Sequence, residues 1–184
     1  MGSWLMVSTA LQPVTLTEFM QLHNIEESPA WELLHGQVLQ KPMPTFYHSL
    51  LQKHLVRAID NTNSIYEAFP ELRCILSKNS VVPDITIVHQ RRIPVANQPI
   101  QGAPDWIIEI LSVDQSVTKL IAKIQDCLAE GTQLGWLIDS QEEVIMVFVP
   151  DQPLLLARGD MALTVLDEMA LQLTPNQIFG WLKR

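Results

Sequence analysis

Residues 106–111 read Trp-Ile-Ile-Glu-Ile-Leu, an apolar run interrupted only by Glu109. Such a run without polar alternation marks a strand covered on both faces, which requires a sheet with further layers on each side. The strand therefore points to an α/β protein. Glu109 falls where a lone carboxylate is strongly unfavourable unless it is paired, hydrogen-bonded or bound to a cation.

The flanking segments supply the other layers. Val117, Leu120, Ile121, Ile124 and Leu128 make one helical stripe that ends at Gly131. Residues 47–59 place Leu50, Leu51, His54, Leu55, Ala58 and Ile59 at the same period, and a short amphipathic helix is expected within residues 15–23. A terminal helix should start at Pro175 with Thr174 as its cap. Residues 31–40 hold two apolar stretches around Gly36, the pattern of a hairpin. Strands are expected at residues 72–76, 81–88, 134–138, 144–149 and 154–157. Pro83 has no N–H to donate, so it marks an edge, a strand start or a bulge in the second of these. Residues 91–104 contain Pro94, Pro99 and Gly102 and read as a loop, with Arg91 and Arg92 as solvated charges. Residues 1–14 lack periodicity and read as a tail before a single domain at 15–184.

Composition narrows the function. No apolar stretch reaches the roughly 18 residues of a membrane span, and Gln12, Pro13 and Thr15 break up the only N-terminal candidate for a secretory signal. A cytoplasmic protein is the expectation. Cys74 and Cys127 show no CxxC spacing, so they suggest buried thiols and neither a disulfide framework nor a zinc site. A formal net charge of −8 with no basic run argues against a broad cationic face for phosphates. Any nucleic-acid function must offset that field with a divalent metal, a partner or an oligomer. The motifs GxSxG, GxGxxG, HExxH and the P-loop are absent, which removes support for serine hydrolase, nucleotide-binding and zincin chemistry. Trp31, Trp106, Trp136 and Trp181 fall on expected strands or the terminal helix and read as core.

Pro83-Asp84 precedes Glu109 by 25 residues. Two carboxylates at the same end of adjacent strands repel each other. A hard divalent cation removes that repulsion and creates a place for phosphate oxygens. Alternatively, each acid forms an ordinary ion pair with a Lys or Arg. The residues by themselves leave both readings open.

The order Glu32-Leu33-Leu34-His35-Gly36, His48, Val82-Pro83-Asp84-Ile85, then residues 104–112, Lys123, Gly131 and Trp136-Leu137-Ile138-Asp139 resembles the Uma-two family. These are restriction-endonuclease-like proteins of the PD-(D/E)xK nuclease superfamily, and the likeness runs over residues 15–150. It implies a restriction-endonuclease-like core, a mixed β-sheet flanked by helices. It also implies that Asp84 and Glu109 hold Mg²⁺ or Mn²⁺ together with the Ile110 carbonyl, while a Lys orients or activates the attacking water. The usual ExK spacing is missing, because Leu111 stands where the Lys would be. As in the family, the Lys lies on the following helix, at Lys123.

Lys123 sits roughly 120° from the centre of the apolar stripe, so it flanks that face and either snorkels to solvent or reaches inward. Lys119 is farther round, at a position where the family often has an acid, and Cys127 replaces a common Tyr. Glu32 matches a family Glu and is either a third acidic group or a surface hairpin residue. His48 matches a family His that contacts phosphate or positions water; a helix-cap or core histidine is the alternative. Asp105 reads as a strand-entry residue. The implied activity is that of a Mg²⁺-dependent endonuclease acting on DNA as a homodimer, two sites addressing two strands. A third reading is a nuclease of RNA or of branched DNA. The rival is a nuclease-fold binding or assembly module without catalysis.

Overall fold

The computed structural model describes residues 12–183, so residues 1–11 of the expected tail lie outside the described residues. In chain order the elements are α1 (Leu16–Phe19), β1 (Trp31–Leu34), β2 (Gln37–Gln40), α2 (Phe46–Asp60), β3 (Tyr66–Pro70), β4 (Cys74–Ile75), β5 (Ser80–Val81) and β6 (Ile85–His89). There follow β7 (Ile100–Gln101), β8 (Trp106–Ile110), α3 (Val117–Ala129), β9 (Leu134–Asp139), β10 (Val144–Phe148), β11 (Leu155–Ala157) and α4 (Pro175–Gly180). The strands form a five-stranded sheet, β2-β1-β5-β4-β7, and a six-stranded sheet, β11-β10-β9-β8-β6-β3. Both sheets are mixed, since β4 and β7 run parallel, as do β8 and β9, while the other pairs are antiparallel.

All of β8 is buried, as its apolar run requires. Trp106, Ile108 and Ile110 face a core with Leu51, Leu55 and Ile59 of α2 and Ile178 and Phe179 of α4. Ile107 points the other way, into a core with Leu120, Ile124 and Cys127 of α3. The alternation follows from the two-residue period of a strand, and the two cores account for its double coverage. Helix α3 approaches β9 closely because Gly135 has no side chain; a Cβ there would lie 2.5 Å from Ile124 Cγ2. Trp106 and Trp136 are fully buried with ring centroids 4.6 Å apart, whereas Trp31 and Trp181 are half-buried.

Between β1 and β2, His35 and Gly36 have φ of 50° and 77°. Two left-handed residues make the tight turn whose twist matches a hairpin, and the register pairs Glu32 with Leu39. The break at Pro83 is also present: the chain leaves the five-stranded sheet after β5, passes Val82, Pro83 and Asp84, and enters the six-stranded sheet at β6.

Several local expectations are corrected. The first helix is a four-residue turn closed by a Thr15–Glu18 capping box, not an element reaching residue 23. The strand expected at 72–76 shrinks to Cys74–Ile75, because Leu76 N–H turns back to the Asn79 carbonyl (2.9 Å). Edge strand β3 lacks a buried apolar run and gives little periodic signal. Arg92 is not a solvated charge: it donates to the Gln101 and Ala103 carbonyls and pairs with Asp105 at 3.1 Å. Cys74 and Cys127 are buried free thiols. Among the described residues no helix is long and apolar enough to cross a membrane.

Candidate functional site

Strands β6 and β8 are antiparallel with Ile85 opposite Ile108. Continuing that register by one residue sets Asp84 opposite Glu109. Opposed residues on neighbouring strands share a face, so the two acids meet at the point where the chain changes sheets. Asp84 is 2% exposed and Glu109 is 1% exposed.

Asp84 Oδ1 lies 2.8 Å from Lys41 Nζ, and Oδ2 accepts from the Ile110 N–H (2.7 Å) and faces His48 Nε2 (3.1 Å). Burial by itself would raise this carboxyl, but Lys41 and the His48 contact outweigh it and hold Asp84 well below the usual carboxylate range. Glu109 is in the opposite condition. Burial pushes it up to about 8, with Lys123 pulling down and the Asp84 charge adding to the rise. Lys123 Nζ stands 2.7 Å from Glu109 Oε1 and 2.6 Å from Glu32 Oε1, and donates to the Val82 carbonyl at 3.3 Å. Burial opposes its charge, yet Glu109, Glu32 and Asp84 together hold Lys123 above the ordinary lysine range.

The structure thus resolves the positions left open by the sequence. Lys123 reaches inward: the buried face of α3 is Leu120, Lys123, Ile124 and Cys127, rotated toward Lys123 from the stripe drawn through the apolar residues alone. Glu32 is not a surface residue. Its Oε1 also accepts from the Val82 N–H at 2.6 Å, tying the hairpin to the crossover. His48 combines two descriptions, since its N–H bonds the Thr45 cap (3.3 Å) at the start of α2 while its buried ring contacts Asp84. Lys119 is exposed and lines a cleft that also touches Glu32, Glu109 and Lys123. Asp105 enters β8 as expected, accepting from the His89 N–H at 2.8 Å, away from the acid pair. Asp84, Glu109, Lys123, Glu32, His48 and the Ile110 backbone are therefore brought together. Both acids have a lysine partner.

Lys41 is the residue that the sequence reading missed. Its side chain is 7% exposed, and Nζ lies 2.8 Å from each of Asp84 Oδ1, Glu71 Oε2 and the Val82 carbonyl. A signal for it exists in the hairpin. With Glu32 opposite Leu39 and Lys41 N–H bonded to the Ala30 carbonyl at 2.9 Å, Lys41 continues the ladder on the face that carries Glu32. Gln52 of α2 completes the surround, donating to the Asp84 backbone carbonyl at 2.7 Å.

Among the described residues, two clefts reach the acid pair. One, of about 320 Å³, touches Glu32, Glu109 and Lys123; the other, of about 210 Å³, touches Asp84, His48 and Glu71. Lys41, Pro42 and Gln115 line both and form the wall between them. Among the described residues no three His, Cys, Asp or Glu side chains are arranged as a ready-made metal cage.

Comparison with known proteins places the chain in a family. The chain is similar to the crystal structure of a "putative nuclease belonging to DUF820" from Anabaena variabilis ATCC 29413, with 40% identity, a TM-score of 0.86, and coverage of 92% of this chain and 99% of that one. No curated protein matches. The family described as "Uma2: Putative restriction endonuclease" matches residues 16–176. With residues 16–176 matched by the family and a solved relative 40% identical over 92% of its length, the chain belongs to the Uma2 family of restriction-endonuclease-like proteins.

Proposed function

We propose that this protein is a metal-dependent endonuclease that hydrolyses phosphodiester bonds in DNA, with Mg²⁺ or Mn²⁺ held by Asp84, Glu109 and the Ile110 carbonyl. The observation that carries this reading is the placement of two buried acids opposite one another on adjacent strands, with the buried Lys123 ammonium on the second. The donor set fits the cation. Mg²⁺ uses one or two carboxylates and fills its remaining positions with water, so a full cage of side chains is not needed. Glu109 Oε1 is buried and has Lys123 as a charge partner but no aligned hydrogen bond among the described residues, so it has acceptor capacity to spare.

When bound, the cation would polarise a phosphate oxygen and lower the pKa of a water molecule. Lys123, held firmly protonated, is suited to donate to the attacking water and offset developing charge, and unsuited to act as its base. Glu32 anchors Lys123. His48 and the Ile110 N–H fix Oδ2 of Asp84 and so orient the carboxylate. With a net charge of −8, attraction for DNA has to come from the cation and these local lysines. The reading includes a homodimer, since β11 is an edge of the six-stranded sheet and carries exposed Leu155 and Leu156, with exposed Leu154 just before it. Duplex, single-stranded and branched DNA and RNA would be incubated with the wild type, D84N and E109Q, with and without Mg²⁺. DNA cleavage that requires Mg²⁺ and disappears in folded D84N supports the assignment; cleavage retained in D84N sinks it.

One observation favours a second reading. Lys41 and Lys123 already offset most of the charge of Asp84, Glu109 and Glu32, so the cluster can stand as a structural network without a cation. On that reading the chain is a nuclease-fold binding or assembly module, and calorimetric titration with Mn²⁺ would show no site dependent on Asp84 and Glu109.

A further inference from the structure

We propose that Lys41 is an internal competitor for the cation position on Asp84, an ammonium that must shift from Oδ1 toward Glu71 before a divalent metal can bind. The proposal rests on the metal-site reading above. A carboxylate offers about four lone-pair directions, two on each oxygen. On Asp84 the Ile110 N–H and His48 Nε2 take both at Oδ2, and Lys41 takes one at Oδ1, at 2.8 Å. Room for a further ligand bond therefore remains on the very oxygen that already carries an ammonium. Two cations sharing one buried oxygen repel each other far more strongly than they would in water.

Lys41 also has somewhere to go. Its second carboxylate partner, Glu71 Oε2, lies 2.8 Å away, and the Glu71 side chain is 43% exposed, so it can follow the ammonium outward. The four-carbon stem of a lysine allows such a shift without backbone movement. Because Lys41 lines both clefts, an ammonium withdrawn from Oδ1 stays at the wall a phosphodiester would pass. Lys41 thus differs from Lys123, which is enclosed at 1% exposure between Glu32 and Glu109.

A purely structural counter-ion and a competitor predict opposite signs. If Lys41 merely supports Asp84, its removal loosens the carboxylate and weakens metal binding. If it competes, removal tightens binding. Calorimetric titration with Mn²⁺ would compare wild type, K41M, E71Q, the K41M/E71Q double variant and D84N, with far-UV circular dichroism confirming the fold of each. The expected result is Asp84-dependent binding that becomes at least tenfold tighter in K41M and several-fold weaker in E71Q. The E71Q effect should vanish in the K41M background, because Glu71 acts through the lysine. Binding in K41M that equals or falls below wild type overturns the proposal while leaving the metal site intact. Absence of binding in every variant overturns both. Should K41M fail to fold, K41Q takes its place, tighter Asp84-dependent binding upholding the proposal and equal or weaker binding overturning it.

Discussion

Replacing Lys123 with Met keeps the aliphatic stem and removes an ammonium that stands 2.6 Å from Glu32 and 2.7 Å from Glu109. Both carboxyl groups stay buried without their cation. Breaking a buried ion pair from one side costs roughly 3–5 kcal/mol, because it leaves uncompensated charge in a poorly solvated place. At about 2–4 °C per kcal/mol for a domain of this size, the melting temperature should fall by roughly 6–20 °C. The loss also depends on pH. Glu109 sits at about 8 in the folded protein against an ordinary value of 4.5. A carboxyl raised on folding contributes stability that is fully present below its unfolded value and lost as pH rises through its folded value. Lys123 pulls Glu109 down, so its removal lifts Glu109 further and extends that loss to higher pH. The deficit of K123M should be smallest near pH 5, where Glu109 is protonated in both proteins, and largest above pH 8, where the wild type ionises it beside Lys123. Urea unfolding of both proteins at the two pH values measures the deficit. An equal deficit at both, or one below about 1 kcal/mol at the alkaline pH, refutes the account of a buried pair. Replacing Glu32, Glu109 and Lys123 together by Leu, Leu and Met should recover much of the loss, since no unpaired charge remains.

Three further outcomes are expected. Mn²⁺ affinity should rise from pH 6.5 to 8.5 with proton release, because Glu109 must surrender the proton it holds up to about pH 8 before it can ligate. Titration calorimetry in two buffers of different ionisation enthalpy checks this, and a pH-independent affinity without proton release contradicts it. Gly135→Ala should cost about 1–3 kcal/mol by overpacking, as its Cβ would lie 2.5 Å from Ile124 Cγ2. It should also weaken Mn²⁺ binding by shifting α3 and Lys123; an unchanged melting temperature would remove Gly135 as the reason for the close helix seat. Burial pushes the Cys74 thiol up to about 12 and Cys127 well above its usual range. Neither should react with an aromatic disulfide reagent at pH 8 until urea unfolds the chain, and rapid labelling of the native protein would disprove that inertness.

What could be read from the chain in advance was local or conspicuous. Helices α2 and α3 follow from the 3.6-residue period, β8 from its apolar run, and the β1–β2 turn from Gly36, because each depends on residues near one another in sequence. Asp84 and Glu109 stood out for a related reason: an acid beside a strand-breaking Pro and an acid within an apolar run both demand a partner. Strand β3 carried little signal, since an edge strand is only half covered and its pattern is weak.

The partners of the acids were decided by tertiary structure. Periodicity places a helix's buried face by its apolar residues, and by that measure Lys123 lies off it. In the folded protein Lys123 is among the most buried side chains, because Glu32 from one sheet and Glu109 from the other offset its desolvation. Lys41 shows the same physics. Nothing in its immediate neighbours singles it out, and only the hairpin register together with the sheet crossover brings its ammonium onto Asp84. From the residues alone it follows that two buried acids must be compensated. Which cations compensate them, and at which oxygen, is a matter of convergence between segments distant along the chain, and that depends on the packing of the two sheets.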